Sequence, residues 1–191
     1  MKVAAAGYFG YGNLGDEAIL AGLSGELARA GSELTVLSGD PQGTRTLHGV
    51  PAVHRLSLAA LGALRDCDVF VLGGGGLFQD ATSIRSPLYY LSLVVLARIF
   101  RRRVYFYAQG LGPLGTIPGR LAASLALRLS HRVTFRDEES LQLARRLAPQ
   151  LEARVSADPA FLLRPAKSPR PGSLLVISLR PWPGLEESLE E

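Results

Sequence analysis

Gly7-Tyr8-Phe9-Gly10-Tyr11-Gly12-Asn13-Leu14-Gly15-Asp16 stands between two segments of opposite character. Lys2 to Ala6 is a short apolar run that reads as a buried strand, and Asp16 to Ala30 reads as an amphipathic helix. The glycines between them let the backbone come close to whatever is bound there. In an open α/β sheet such a turn lies on the carboxyl edge of the strands, where ligands bind. The stretch locates a site before it says what the site binds.

Outward from this turn, strand-like and helix-like segments alternate. Strands are expected at Lys2–Ala6, Glu33–Leu37, Asp68–Leu72, Val104–Ala108, Arg132–Phe135, Ala153–Ser156 and Leu174–Leu179. Helices are expected at Asp16–Ala30, Leu56–Arg65, Pro87–Phe100, Pro118–Leu129 and Asp137–Leu147. Most of the strands are near-continuous apolar runs, the pattern of a parallel sheet covered on both faces. The fold class that follows is α/β, a doubly wound, mainly parallel, Rossmann-like sheet.

With 191 residues, 47% of them hydrophobic, the chain can bury one substantial core. Its single cysteine, Cys67, excludes an internal disulfide framework and fits a reducing cytoplasm. His48, His54 and His131 are scattered without metal-ligand spacing, so no metal is expected. A net charge of +4 suits an anionic small molecule or an acidic membrane surface and is too small to argue for nucleic acid. Leu88 to Phe100, followed by Arg101-Arg102-Arg103, is too short to span a bilayer. It reads either as a buried helix or as a helix at the membrane interface with the arginines on lipid headgroups.

Several strand ends carry unusual residues, and in a parallel sheet those ends share one rim. Asp68–Leu72 runs into Gly73-Gly74-Gly75-Gly76 and then Gln79-Asp80; Val104–Ala108 runs into Gln109-Gly110-Leu111-Gly112-Pro113. Arg132–Phe135 runs into Arg136-Asp137, and Ala153–Ser156 into Asp158-Pro159. The spacing Gly10-x-Gly12-x-x-Gly15 satisfies a dinucleotide fingerprint, with Asp40 as ribose partner. Against that reading, Asp16 and Glu17 at the helix start compete with a pyrophosphate for the same amides, unless Asp16 is simply the N-cap. A neutral, hydroxyl-rich ligand such as a sugar suits Asn13 and Asp16 better.

Gly7 to Leu20 resembles the opening of the polysaccharide pyruvyltransferases. The resemblance continues through Val71–Asp80, Ala108–Pro113, Phe135–Ser140 and Asp158-Pro159-Ala160 to Ile177–Trp182, in order along the chain. It looks most like the bacterial branch that pyruvylates a cell-wall polymer anchoring S-layer proteins. The resemblance implies a two-domain, glycosyltransferase-B-like fold with the active site between domains. It implies transfer of an enolpyruvyl unit from phosphoenolpyruvate to two sugar hydroxyls, giving a cyclic ketal and phosphate, with no cofactor beyond that donor. The acceptor it implies is a lipid-linked amino sugar, handled in the cytoplasm or at the inner face of the membrane.

On this reading residues 1–163 form an N-terminal domain, 164–172 a linker and 173–191 the start of a second domain. The chain is then a fragment, inactive alone, that supplies the acceptor half-site. Asp16 and Asp158 are its candidate bases. Gly12, Asn13 and Gly15, the backbone of Gly73, Gly74, Gly75 and Gly76, and Gln79, Gln109 and Arg136 are its candidate substrate contacts. Gln79 and Gln109 are read as contacts or as structural residues, Asp158 as base or turn residue, and Arg136 with Asp137 as contact, rim ion pair or helix start. A nucleotide-dependent oxidoreductase and a non-catalytic carbohydrate-binding module are the alternatives.

Overall fold

The computed structural model describes residues 1–81 and 83–163. The chain opens with β1 (Lys2–Ala6), α1 (Leu14–Arg29), β2 (Glu33–Ser38), α2 (Pro41–His48), β3 (Ala52–His54), α3 (Leu58–Asp66) and β4 (Val69–Gly73). It continues with α4 (Arg85–Ile99), β5 (Arg103–Gln109), α5 (Ile117–Leu129), β6 (Arg132–Phe135), α6 (Glu138–Leu147), β7 (Ala153–Val155) and a 3-10 turn at Pro159–Leu162. The expected strand Leu174–Leu179, the linker and the second-domain start lie outside the described residues.

Seven strands form one parallel sheet in the order β3-β2-β1-β4-β5-β6-β7. The direction of winding reverses between β1 and β4, so the crevice beyond their carboxyl ends is the topological switch point. The two glycine loops leave the sheet there, one from each strand. The α/β, Rossmann-like reading holds.

β1 shows why the strands read as continuous apolar runs. Val3 and Ala5 join one core with Phe9, Ile19, Leu20 and Leu23 of the first loop and α1. Ala4 and Ala6 join the other, built largely by residues of α3 to α6. Both faces of the strand are therefore covered. α4 lies in this second core, with Tyr90, Leu93, Val94 and Ala97 buried. Among the described residues no helix is long and apolar enough to cross a membrane.

Two elements escape the sequence pattern. α2 has the sequence PQGTRTLH, poor in helix formers, and it forms because its ends are well capped. Asp40 Oδ1 accepts from Gln42 N (3.1 Å) and Gly43 N (3.0 Å), Pro41 opens the helix, and Gly49 closes it at φ 66°. Asp40 is thus a helix cap and not the ribose partner of the dinucleotide reading. β3 is three residues on the sheet edge, too short for a hydropathy period.

A candidate functional cleft at the switch point

α1 begins at Leu14, two residues earlier than the hydropathy pattern suggests, and its N-cap is Asn13. Asn13 Oδ1 accepts from Gly15 N (3.0 Å) and Asp16 N (3.3 Å). Glu17 turns inward, where Oε1 accepts from Gly10 N at 2.8 Å and Oε2 meets His48 Nε2 at 2.7 Å. The amides a pyrophosphate would need are therefore already engaged by Asn13 and Glu17, which removes the physical basis of the dinucleotide reading. Because Asn13 does the capping, the Asp16 carboxylate is left to face the crevice.

The loop after β4 forms the opposite wall. Gly74 and Gly75 adopt φ +57° and +70°, and a Cβ on Gly74 would stand 2.4 Å from Ile19 of α1. This approach needs glycine. The loop is tied to β5 and the segment beyond it: Gly74 N donates to Tyr107 O, Gly110 N to Gly75 O at 2.7 Å, and Gly112 N to Phe78 O. Farther along, the Asp80 carboxylate accepts from Gly115 N and Thr116 N at 2.7 and 2.9 Å. The Thr116 hydroxyl, which also donates to Asp80 Oδ2, and then these two amides hold the Asp80 carboxyl below its ordinary value.

Between the walls lies a cleft of about 700 Å³ that brings together Asn13, Gly15, Asp16, Gly75, Gly76, Gln79, Arg136 and Asp158. Burial, reinforced by Glu17 and Asp158 against the pull of Arg136, pushes the Asp16 carboxyl up to about 6. Asp158 Oδ1 caps the 3-10 turn through Ala160 N at 2.9 Å, while Oδ2 faces Arg136 Nη1 at 3.7 Å. Asp158 is both a turn residue and a cleft carboxylate. Arg136 Nε also lies 3.6 Å from Asp137 Oδ2, so the guanidinium is shared loosely between two carboxylates and grips neither. A cation held this way keeps its donors for an anionic ligand.

Four of the expected contacts do not reach this cleft. Gln109 is 1% exposed, and its Nε2 donates to Leu72 O and Gly74 O, both at 2.9 Å. It braces the glycine loop from beneath. Gly73 abuts Phe9 and Leu23 in the core, Gly74 is the loop's close approach to α1, and Gly12 is an exposed turn residue at φ +70°. Conversely, Tyr8 and Tyr90 line the cleft although nothing in their local pattern marks them. The Glu17–His48 pair, 31 positions apart, was likewise invisible in the spacing of histidines. A second cleft of about 710 Å³ opens at the amino edge of the sheet, beside Arg128, His131 and Glu152, away from the glycine loops.

A family model described as polysaccharide pyruvyl transferase matches residues 13–189. The chain belongs to that family. No curated protein matches the chain. Among solved structures, Anabaena Alr3699/HepE in complex with UDP superposes with a TM-score of 0.56 at 11% identity, over 83% of this chain and 44% of that one. The same protein with UDP and glucose gives a TM-score of 0.57 at 13% identity over the same shares. An alpha-glucosyltransferase in complex with UDP and a 13-mer DNA gives 0.52 at 12% identity, over 81% of this chain and 41% of that one. At such identities the likeness shows the fold alone, here the parallel Rossmann-like α/β sheet. The chain spans less than half the length of these three solved structures.

Proposed function

We propose that the cleft is the acceptor half-site of a phosphoenolpyruvate-dependent pyruvyl transferase acting on a cell-wall polysaccharide precursor. The observation that carries this reading is Asp16, a carboxyl at about 6 in the same cleft as a loosely held arginine. Forming the ketal joins two acceptor oxygens to C2 of the donor and expels phosphate. Of the two hydroxyl protons released, one ends on the methylene carbon and the other leaves with the phosphate. A carboxylate poised near neutrality is suited to taking a proton from an attacking hydroxyl. Asp16 is assigned that role, Asp158 is its neighbouring cleft carboxylate beside Arg136, and Arg136, loosely held, faces the anionic donor.

The acceptor is assigned as a lipid-linked amino sugar at the inner face of the membrane, in the branch that modifies the S-layer-anchoring polymer. What supports it is the run of motifs from Gly7 to Pro159, together with a cleft whose helix amides are engaged by Asn13 and whose Asp16 carboxylate remains to meet a hydroxyl. The test is phosphate release by the full-length protein from phosphoenolpyruvate with an N-acetylmannosamine-containing disaccharide lipid. Release that needs both substrates and falls at least about 100-fold in Asp16→Asn is expected. Release without acceptor, or none with any amino-sugar acceptor, overturns the reading.

A further inference from the structure

Tyr90 lies on the buried face of α4, 2% exposed, yet its hydroxyl has no hydrogen-bond partner among the described residues. Its ring packs against Phe78 (centroids 6.2 Å apart) and edge-on against Tyr89 (5.0 Å). A phenylalanine would keep those ring contacts and avoid burying an unpaired hydroxyl. Tyr90 also lines the cleft with Asp16, and burial, helped by the Asp16 carboxylate, pushes the Tyr90 phenol up from its ordinary value. In such a water-poor wall, a hydrogen bond to a ligand is strengthened because solvent competes little for it.

Tyr8 lines the same cleft from a 45% exposed position. Its ring stacks on Tyr11, with centroids 4.4 Å apart and planes 17° from parallel. Tyr11 is backed in turn by the Arg55 guanidinium, 5.5 Å from its centroid, and by Gly39, where a Cβ would stand 2.5 Å from the ring. The stack is braced on the Tyr11 side. Among the described residues no further ring or cation sits against Tyr8. A rigid aromatic face beside a polar cleft accommodates the C–H face of a pyranose at low entropic cost.

We propose that Tyr8 and Tyr90 form a pyranose subsite in this cleft: the sugar ring packs on the uncovered face of Tyr8, and the Tyr90 hydroxyl hydrogen-bonds a sugar oxygen near Asp16. This rests on reading the cleft as the acceptor half-site, and it assigns two residues that orient the sugar toward the base.

The test compares Tyr90→Phe and Tyr8→Ala, with Tyr8→Phe as the conservative control, all in the full-length protein, by steady-state kinetics, thermal unfolding and saturation-transfer NMR. Tyr90→Phe is expected to raise the acceptor KM about tenfold, leave the phosphoenolpyruvate KM unchanged and keep or raise the unfolding midpoint. Tyr8→Ala is expected to raise the acceptor KM and to abolish saturation transfer to an N-acetylmannosamine-containing disaccharide, and Tyr8→Phe to restore both. An unchanged acceptor KM in Tyr90→Phe, or equal changes in both KM values, overturns the subsite. So does saturation transfer to UDP but not to the disaccharide. Because the NMR reads binding without turnover, loss of the sugar signal in the variants sustains the subsite even if wild-type protein releases no phosphate. Acceptor-dependent release that the variants leave untouched sinks the subsite and spares the pyruvyl transfer.

Discussion

Gly75 and Asp16 meet so closely that a Cβ on the glycine would stand 2.7 Å from Asp16 Oδ1. The contact joins the loop after β4 to the first turn of α1, so one wall of the cleft sets the position of the carboxylate on the other. Gly75 also holds φ +70°, a conformation costing a non-glycine residue about 1–2 kcal/mol. Gly75→Ala should lower stability by about that amount and displace Asp16, reducing acceptor-dependent phosphate release at least about tenfold. Normal turnover in a correctly folded Gly75→Ala protein would show that the loop does not position the base.

The raised Asp16 carboxyl has a consequence for stability. From its ordinary value of 3.8 to about 6, the folded protein holds this proton more tightly than the unfolded chain. Stability contributed by the protonated form is therefore complete below pH 4 and lost as pH rises to about 6. For a half-buried group, solvent screening leaves roughly 1 kcal/mol of this, reduced further by the favourable helix N-terminus. Asp16→Asn should abolish the dependence, unfold at a slightly higher temperature at pH 7 and remain inactive. Urea titrations of both proteins between pH 4 and 7 check the slope.

Glu17 and His48 tie α1, the first glycine loop and α2 together through two short contacts, Glu17 Oε1 to Gly10 N and Glu17 Oε2 to His48 Nε2. Both side chains are nearly excluded from water. Glu17→Ala strands a buried amide and an imidazole, and the expected loss is about 2 kcal/mol or more. Chemical denaturation measures it. A loss no larger than that of a surface Glu→Ala change would deny the tie its structural role.

Two glycines of α1 separate packing from propensity. A Cβ on Gly22 would fall 2.0 Å from Pro159 O, so this glycine admits the 3-10 turn whose cap is Asp158. Gly25, one turn on, faces the flexible end of Arg29 at 3.8 Å. Gly25→Ala should stabilise by about 0.5–1 kcal/mol. Gly22→Ala should destabilise and cut turnover by shifting Asp158 in the cleft. Equal thermal shifts for the two variants would contradict this.

The sheet was readable because parallel strands buried on both faces leave long apolar runs, and Lys2–Ala6, Arg132–Phe135 and the glycine loops appear where hydropathy and turn chemistry put them. α2 was not, because its existence depends on Asp40, Pro41 and Gly49 at its ends and not on its apolar content. The same limit applied at the site. Asn13, Asp16, Gly75, Gly76, Gln79, Arg136 and Asp158 converge because strand ends in a parallel sheet must share an edge. Gln109 shares that edge too, but whether a side chain points up at a ligand or down at carbonyls is decided by neighbours distant in sequence. Tyr90 illustrates the converse, since an aromatic on the inner face of an apolar helix looks like core until its hydroxyl is found without a partner.

The most direct test is carbon-13 NMR of the product formed from phosphoenolpyruvate labelled at C2 and an amino-sugar acceptor lipid. A single new quaternary ketal carbon, bonded to two sugar oxygens, is expected to appear with phosphate and to be absent with Asp16→Asn. Label recovered only as free pyruvate, or in an open enol ether with one sugar oxygen, would contradict this.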